Sequence, residues 1–201
     1  SENVQRLTVG DAKIPNFEIP YHTDILENLC GLDLDSARRT SGNGFYYLTG
    51  DIARLHSAIL SYARDFMINK GFTYCIPPFM IRSDVVNGVM SFEEMENMMY
   101  KIEGEDLYLI GTSEHSMIGR FKDTIIKEEN LPLKLTSYSP CFRKEVGAHG
   151  IEERGIYRVH QFEKQEMVVL CKPEEAMEWY DKMWSYTCLL YTSPSPRDPK
   201  T

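Results

Sequence analysis

The chain has 201 residues, 42% hydrophobic and 26% charged, and a net charge of −8. That length supports one substantial core, and the acidic balance speaks against general nucleic-acid binding, which needs clustered Lys and Arg. No apolar run approaches a membrane span, no apolar signal core follows Ser1, and the five cysteines form no C-x-x-C pair, which favours reduced, cytoplasmic thiols over a disulfide framework or zinc knuckle.

In chain order, Pro15 and Pro20 leave the start irregular. Short helices are predicted over residues 24–29 and 35–39, and a short strand over 46–48. The clearest helix spans 51–70, where Ile52, Leu55, Ile59, Tyr62 and Phe66 form one apolar stripe. Lys70 and Gly71 end it, and a strand over 72–76 stops at Pro77 and Pro78. The acidic, Met-rich residues 91–99 fit a helix or a loop, and Met90, Met95, Met98 and Met99 read as packing or surface groups. A strand over 107–111 delivers Thr112, Ser113 and Glu114, and Met117, Phe121 and Ile125 mark another helix. Long strands follow at 134–145 and 156–171. Pro173 then opens a helix whose apolar side holds Ala176, Met177, Tyr180, Met183 and Trp184. The order predicts an α+β fold, an antiparallel sheet flanked by helices.

The charges on the two long strands carry the chemistry. Side chains alternate between faces, so Arg158, His160, Phe162, Lys164 and Glu166 share one side, and Arg143 shares a side with Glu145. At roughly 3.3 Å per residue, Arg158 and Phe162 lie about 13 Å apart. A cation, an aromatic plate and a carboxylate in a row suit a polyphosphate, a purine and an amine. Arg143 with Glu145 alone reads equally well as a cross-strand ion pair. Thr112 also fits a helix N-cap with Glu114 in the first turn. Arg143, Lys144, Arg154 and Arg158 form the clearest cation cluster. His149 and His160 lack a third ligand at usable spacing and read as structural or loop residues, and His22, His56 and His115 as surface or capping ones.

The segment Phe142-Arg143-Lys144-Glu145, a loop holding Ala148-His149-Gly150, and Arg158-Val159-His160-Gln161-Phe162-Glu163-Lys164-Gln165-Glu166 resemble motif 2 of class II aminoacyl-tRNA synthetases in its seryl form. Residues 45–55 resemble the entry to the motif 1 helix, 71–79 the motif 1 strand with its proline, and 109–114 the serine-site T-x-E segment. Four ordered motifs over residues 19–187 outweigh any one of them.

The resemblance implies the catalytic core of a class II synthetase, in part, over residues 1–187. It would activate serine with ATP and Mg2+ to seryl-adenylate and then esterify tRNA. It implies Arg143 as the catalytic residue, gripping the α-phosphate. Lys144, Glu145, Arg158, Val159 and Phe162 join it at ATP, with Glu145 on the adenine amino group, Arg158 on the γ-phosphate and Phe162 stacked on the purine. Thr112, Ser113, Glu114 and Glu166 would take serine, with no metal-ligand set. Glu114 and Glu166 share the ammonium and hydroxyl in an undivided way. Gly147 and Gly150 would give the motif 2 loop flexibility, and a homodimer through motif 1 is expected. Motif 3 and an N-terminal coiled coil are absent, so the chain is expected to be inactive and aggregation-prone alone. Residues 188–201 resemble a translated sequencing adapter and are expected to be irregular. Two other readings compete: a related ligase loading a carrier protein with zinc and Cys ligands, and a non-catalytic synthetase-like binding protein.

Overall fold

The computed structural model describes residues 15–145 and 155–191. The motif 2 loop with Gly147, His149, Gly150 and Arg154, and residues 192–201 of the tail, lie outside the described residues.

The chain begins with α1 (His22–Asn28), β1 (Leu32–Asp33), α2 (Leu34–Ser41) and β2 (Tyr47–Leu48). Asp33 caps α2 by accepting from the Ser36 N–H at 2.8 Å, and Gly42, at φ 97°, lets the chain leave the helix. β1 and β2 pair antiparallel. The 20-residue α3 (Gly50–Asn69) follows and stops at Gly71, whose φ of 82° favours glycine.

β3 (Thr73–Cys75), β4 (Met80–Ile81), α4 (Ser83–Val86), α5 (Phe92–Met98), β5 (Tyr108–Leu109) and α6 (Ser113–Gly119) come next. Residues 91–99 resolve as a helix because Ser91 and Glu94 form a reciprocal capping box. Met95 and Met99 then enter a buried cluster with Ile81, Val86, Tyr108 and Ile110, while Met90 packs against it and Met98 faces outward. Met95→Ala is expected to cost about 2–5 kcal/mol in a denaturant titration, since deleting a buried side chain removes transfer energy and leaves a cavity. The helix expected through Phe121 and Ile125 ends at Gly119, and Ile125 is almost wholly exposed.

The main sheet has the order β3–β6–β7, with β6 (Leu133–Phe142) and β7 (Gln161–Leu170) paired antiparallel over ten residues. It is not purely antiparallel, because β3 runs parallel to β6. A parallel neighbour requires a long crossover, and α4, β5, α5 and α6 all lie within that connection. α3 packs on one face of β6 and β7 and α6 on the other. Register places Ser137, Ser139 and Cys141 opposite Glu166, Lys164 and Phe162, so these six share the α6 face. Ser137, Ser139 and Cys141 are fully buried beneath α6, and the Ser137 and Ser113 hydroxyls bond at 2.6 Å.

Both long strands are shorter than their sequence pattern. Glu145 takes φ 47°, and the His160 N–H bonds Gly44 instead of the strand partner, so regular pairing stops at Phe142 and Gln161. α7 (Ala176–Tyr191) enters through a single turn at Pro173. Its helix continues through Cys188, four residues into the segment expected to be irregular. It meets the domain through Tyr186, edge-on to Phe72, and Trp179, beneath the Lys134 ammonium. Met177, Tyr180 and Trp184, on the side expected to be buried, are more than half exposed, as are Leu55, Ile59 and Tyr62 of the α3 stripe. α3 is buried instead at Ala63 and Met67. The periodicity of α3 and α7 was right, but these particular apolar ridges are not covered.

Candidate nucleotide and amino-acid site

At the end of the β6–β7 hairpin a cleft of about 450 Å³ is lined by Arg143, Glu145, Arg158, Val159 and Phe162, together with Tyr46, Leu48 and His56. The Arg143 guanidinium lies 5.1 Å from the Phe162 ring centre and donates from Nε to the Gly111 carbonyl at 3.1 Å. Its planar cation is thereby held against the aromatic plate with its terminal nitrogens still available for a phosphate. Arg158 reaches Glu145 at 3.4 Å, although neither lies in a strand. A second cleft, of about 470 Å³, adjoins the first and shares Glu145 and Arg158. Lys144 does not join them, because its Nζ donates to the Glu96 carbonyl at 2.8 Å, at the end of α5, and it lines neither cleft.

Beside Arg143 on the α6 face is a polar knot. Thr112 caps α6, its hydroxyl accepting from the Glu114 N–H at 3.4 Å. The same hydroxyl donates to Glu166 at 2.8 Å and accepts from Lys164 at 3.2 Å, so its whole hydrogen-bonding capacity is used. Lys164 also pairs directly with Glu166. Sequence reasoning put Lys164 on this face and gave it no role; the period-two alternation was the available signal. Thr112 and Glu166 come together, Ser113 is committed to Ser137, and Glu114 sits exposed on the first turn of α6.

His115 is buried, contrary to the surface reading, and among the described residues its Nδ1 has no hydrogen-bond partner. Burial, then the charges of Arg143 and Lys164, hold its pKa below the ordinary value. Burial likewise pushes up the Cys141 thiol. Among the described residues no three His, Cys, Asp or Glu side chains cluster as metal ligands.

On the opposite face Glu163 accepts from the Tyr138 hydroxyl and pairs with His56 of α3, tying that helix to the strand carrying Phe162. Burial, then the hydrogen bond to Glu163 and its charge, push the Tyr138 pKa up to about 12 from the ordinary 10.0. The unfolded chain therefore releases this proton first. The associated stability is fully present below the unfolded pKa and is lost as pH rises through the folded one. Urea titrations at about pH 9 and about pH 11 should show a steeper loss than in Tyr138→Phe, and equal losses would refute the assignment.

The chain matches the tRNA synthetase class II core domain (G, H, P, S and T) over residues 96–196. The chain belongs to the class II tRNA synthetase core family. It is 43% identical over 183 residues to the serine–tRNA ligase of Methanoregula boonei, covering 91% of this chain and 43% of the relative. Seryl-tRNA synthetase from Pyrococcus horikoshii complexed with ATP superposes with a TM-score of 0.86 at 44% identity, over 89% of this chain and 40% of that one. The cytoplasmic serine–tRNA ligase of Naegleria fowleri in complex with AMP gives 0.81 at 37% identity, over 86% and 41%. This class II core thus spans about two-fifths of the length of these relatives. The α+β fold expected from sequence is the class II synthetase fold.

Proposed function

We propose that the chain carries the adenylate-forming part of a serine–tRNA ligase: L-serine and ATP give seryl-adenylate and pyrophosphate, and the seryl group then passes to the terminal ribose of tRNA. The single observation that supports this best is the Arg143 guanidinium lying over the Phe162 ring in a cleft shared with Glu145 and Arg158, next to the Thr112–Glu166 pair. In this reading Phe162 takes the adenine face and Glu145 its amino group, while Arg143 and Arg158 neutralise phosphate charge. Arg143 offsets charge that develops at the α-phosphate as the serine carboxylate attacks and pyrophosphate leaves. Magnesium arrives with the triphosphate as part of that substrate.

Glu166 and Thr112 take the ammonium and hydroxyl of serine. Lys164, which now contacts both, must swing aside or turn to the carboxylate. Ser113 supports this site through Ser137, and Glu114 acts from the exposed first turn of α6. The exposed ridge of Leu55, Ile59 and Tyr62 on α3 supports a homodimer through motif 1. A tRNA-charging role supports a cytoplasmic location. No helix among the described residues is long and apolar enough to cross a membrane.

The test is ATP–pyrophosphate exchange with each of serine, threonine and alanine, in this chain and in an enzyme of the relatives' full length carrying it. In the full-length enzyme, exchange with serine at least about 10²-fold above alanine is the expected result, because a site built around a hydroxyl rejects an analogue lacking it. Threonine, which keeps the hydroxyl, tests whether the site has room for one more methyl group. Exchange with no amino-acid preference in the full-length enzyme would refute the reading.

A further inference from the structure

The backbone bonds around Arg143 are unusual. Continuing the β6–β7 ladder by one pair would set Arg143 opposite His160, and the two would exchange both main-chain hydrogen bonds. Only one is made: the Arg143 N–H donates to the His160 carbonyl at 2.9 Å. The His160 N–H goes instead to the Gly44 carbonyl, at 2.8 Å, in the loop between α2 and β2. The Arg143 carbonyl would then lack its partner, and the His160 ring takes that place, with Nδ1 at 3.0 Å from the carbonyl oxygen. A carbonyl only accepts, so this contact is a hydrogen bond when Nδ1 carries the proton. The Tyr100 oxygen, 3.0 Å from the same nitrogen, is then a second acceptor of that proton, whereas in the other tautomer the Tyr100 hydroxyl donates to Nδ1.

The surroundings hold the ring in this pose. Phe45 packs 5.3 Å from it and Tyr100 stands edge-on at 6.3 Å. The ring edge reaches Gly44 so closely that a Cβ there would fall 2.4 Å from Cδ2. Gly44 also sits at φ 80°, so both its conformation and this approach require glycine.

We propose that His160 is a positioning residue for Arg143: its imidazole substitutes for its own backbone N–H, freeing that N–H to bind the Gly44 loop. One residue thereby fixes the arginine's peptide and the wall of the adjoining cleft, which Gly44, Phe45 and His160 line together. This deepens the nucleotide-site reading and rests on it for the rate effect. The tautomer and the bonding do not depend on that reading.

Two measurements test it. The amide nitrogen of Asn occupies about the position of Nδ1, and that of Gln about the position of Nε2. In serine-dependent exchange by a full-length enzyme carrying this segment, H160Q and H160A should lose about 10–100-fold in kcat with serine KM within about threefold. H160N should stay within about fivefold of the parent, because its amide still donates to the Arg143 carbonyl, whereas misplacing a reacting group by about 1 Å costs rate. Equal rates in H160N and H160Q overturn the proposal, as does a loss of folding common to both, which would make the ring structural only. If the parent enzyme gives no exchange, the functional reading fails and 15N NMR of the His160 ring in this chain decides the rest: Nδ1–H supports the proposal and Nε2–H overturns it.

Discussion

Arg143→Ala is expected to lower serine-dependent pyrophosphate exchange by about 10²–10³-fold in kcat, the usual loss when one preorganised donor at a developing charge is removed. The half-buried guanidinium is held by the Gly111 carbonyl and by Phe162, so its orientation is set before substrate arrives. Arg143→Lys should recover little, because a flexible ammonium cannot present two parallel donors in a fixed plane. Lys144→Ala is the matched control. Its ammonium serves the Glu96 carbonyl outside both clefts, so a change within about threefold is expected, close to the effect of an ordinary surface substitution. Comparable losses at Arg143 and Lys144, measured side by side, would show that neighbouring cations act only through their summed charge.

Glu166→Ala is expected to lower kcat/KM for serine by about 10³-fold while the KM for ATP moves only a few-fold. The carboxylate meets both the Thr112 hydroxyl and the Lys164 ammonium, and its side chain is largely buried, at 17% exposure. Removing it leaves a cation and a hydroxyl without their acceptor, and a polar amino-acid side chain loses the group that distinguishes it from an apolar one. ATP should be affected less, because Phe162 and Arg143 lie nearer the loop end of the hairpin, whereas Glu166 lies mid-strand. Separate KM determinations for serine and ATP provide the check. A parallel rise in both would place Glu166 in the support of the whole sheet and not in one subsite.

Much of this arrangement was legible in the chain because it depends on local geometry. Alternation along a strand is intrinsic to the backbone, so Phe162, Lys164 and Glu166 had to share a face wherever the strand was placed. Thr112 ahead of a helix is a cap whose partner lies two residues on, so it too needed no tertiary knowledge. Ser91 with Glu94 is a local cap of the same kind that the reading of residues 91–99 as helix or loop did not use. The pairing of β6 with β7 followed from two long alternating segments joined by a polar loop, while the class II fold followed from the resemblance of the motifs they carry.

Tertiary structure alone decided which of several locally equivalent arrangements is realised. The strand pattern ran on through Arg143, Glu145 and Arg158, and it ends early because Gly44, more than a hundred residues away, takes the His160 N–H. Lys144 turns to α5 because a distant carbonyl meets it there, and His115 is buried because α6 lies flat on β6 and β7. The ridges of α3 and α7 show the same division. Period 3.6 establishes that apolar residues line up along a helix, whereas what covers them depends on elements far away in sequence. Local chemistry therefore determined the residue set of this site. Long-range hydrogen bonds, which no short window of sequence contains, set its geometry.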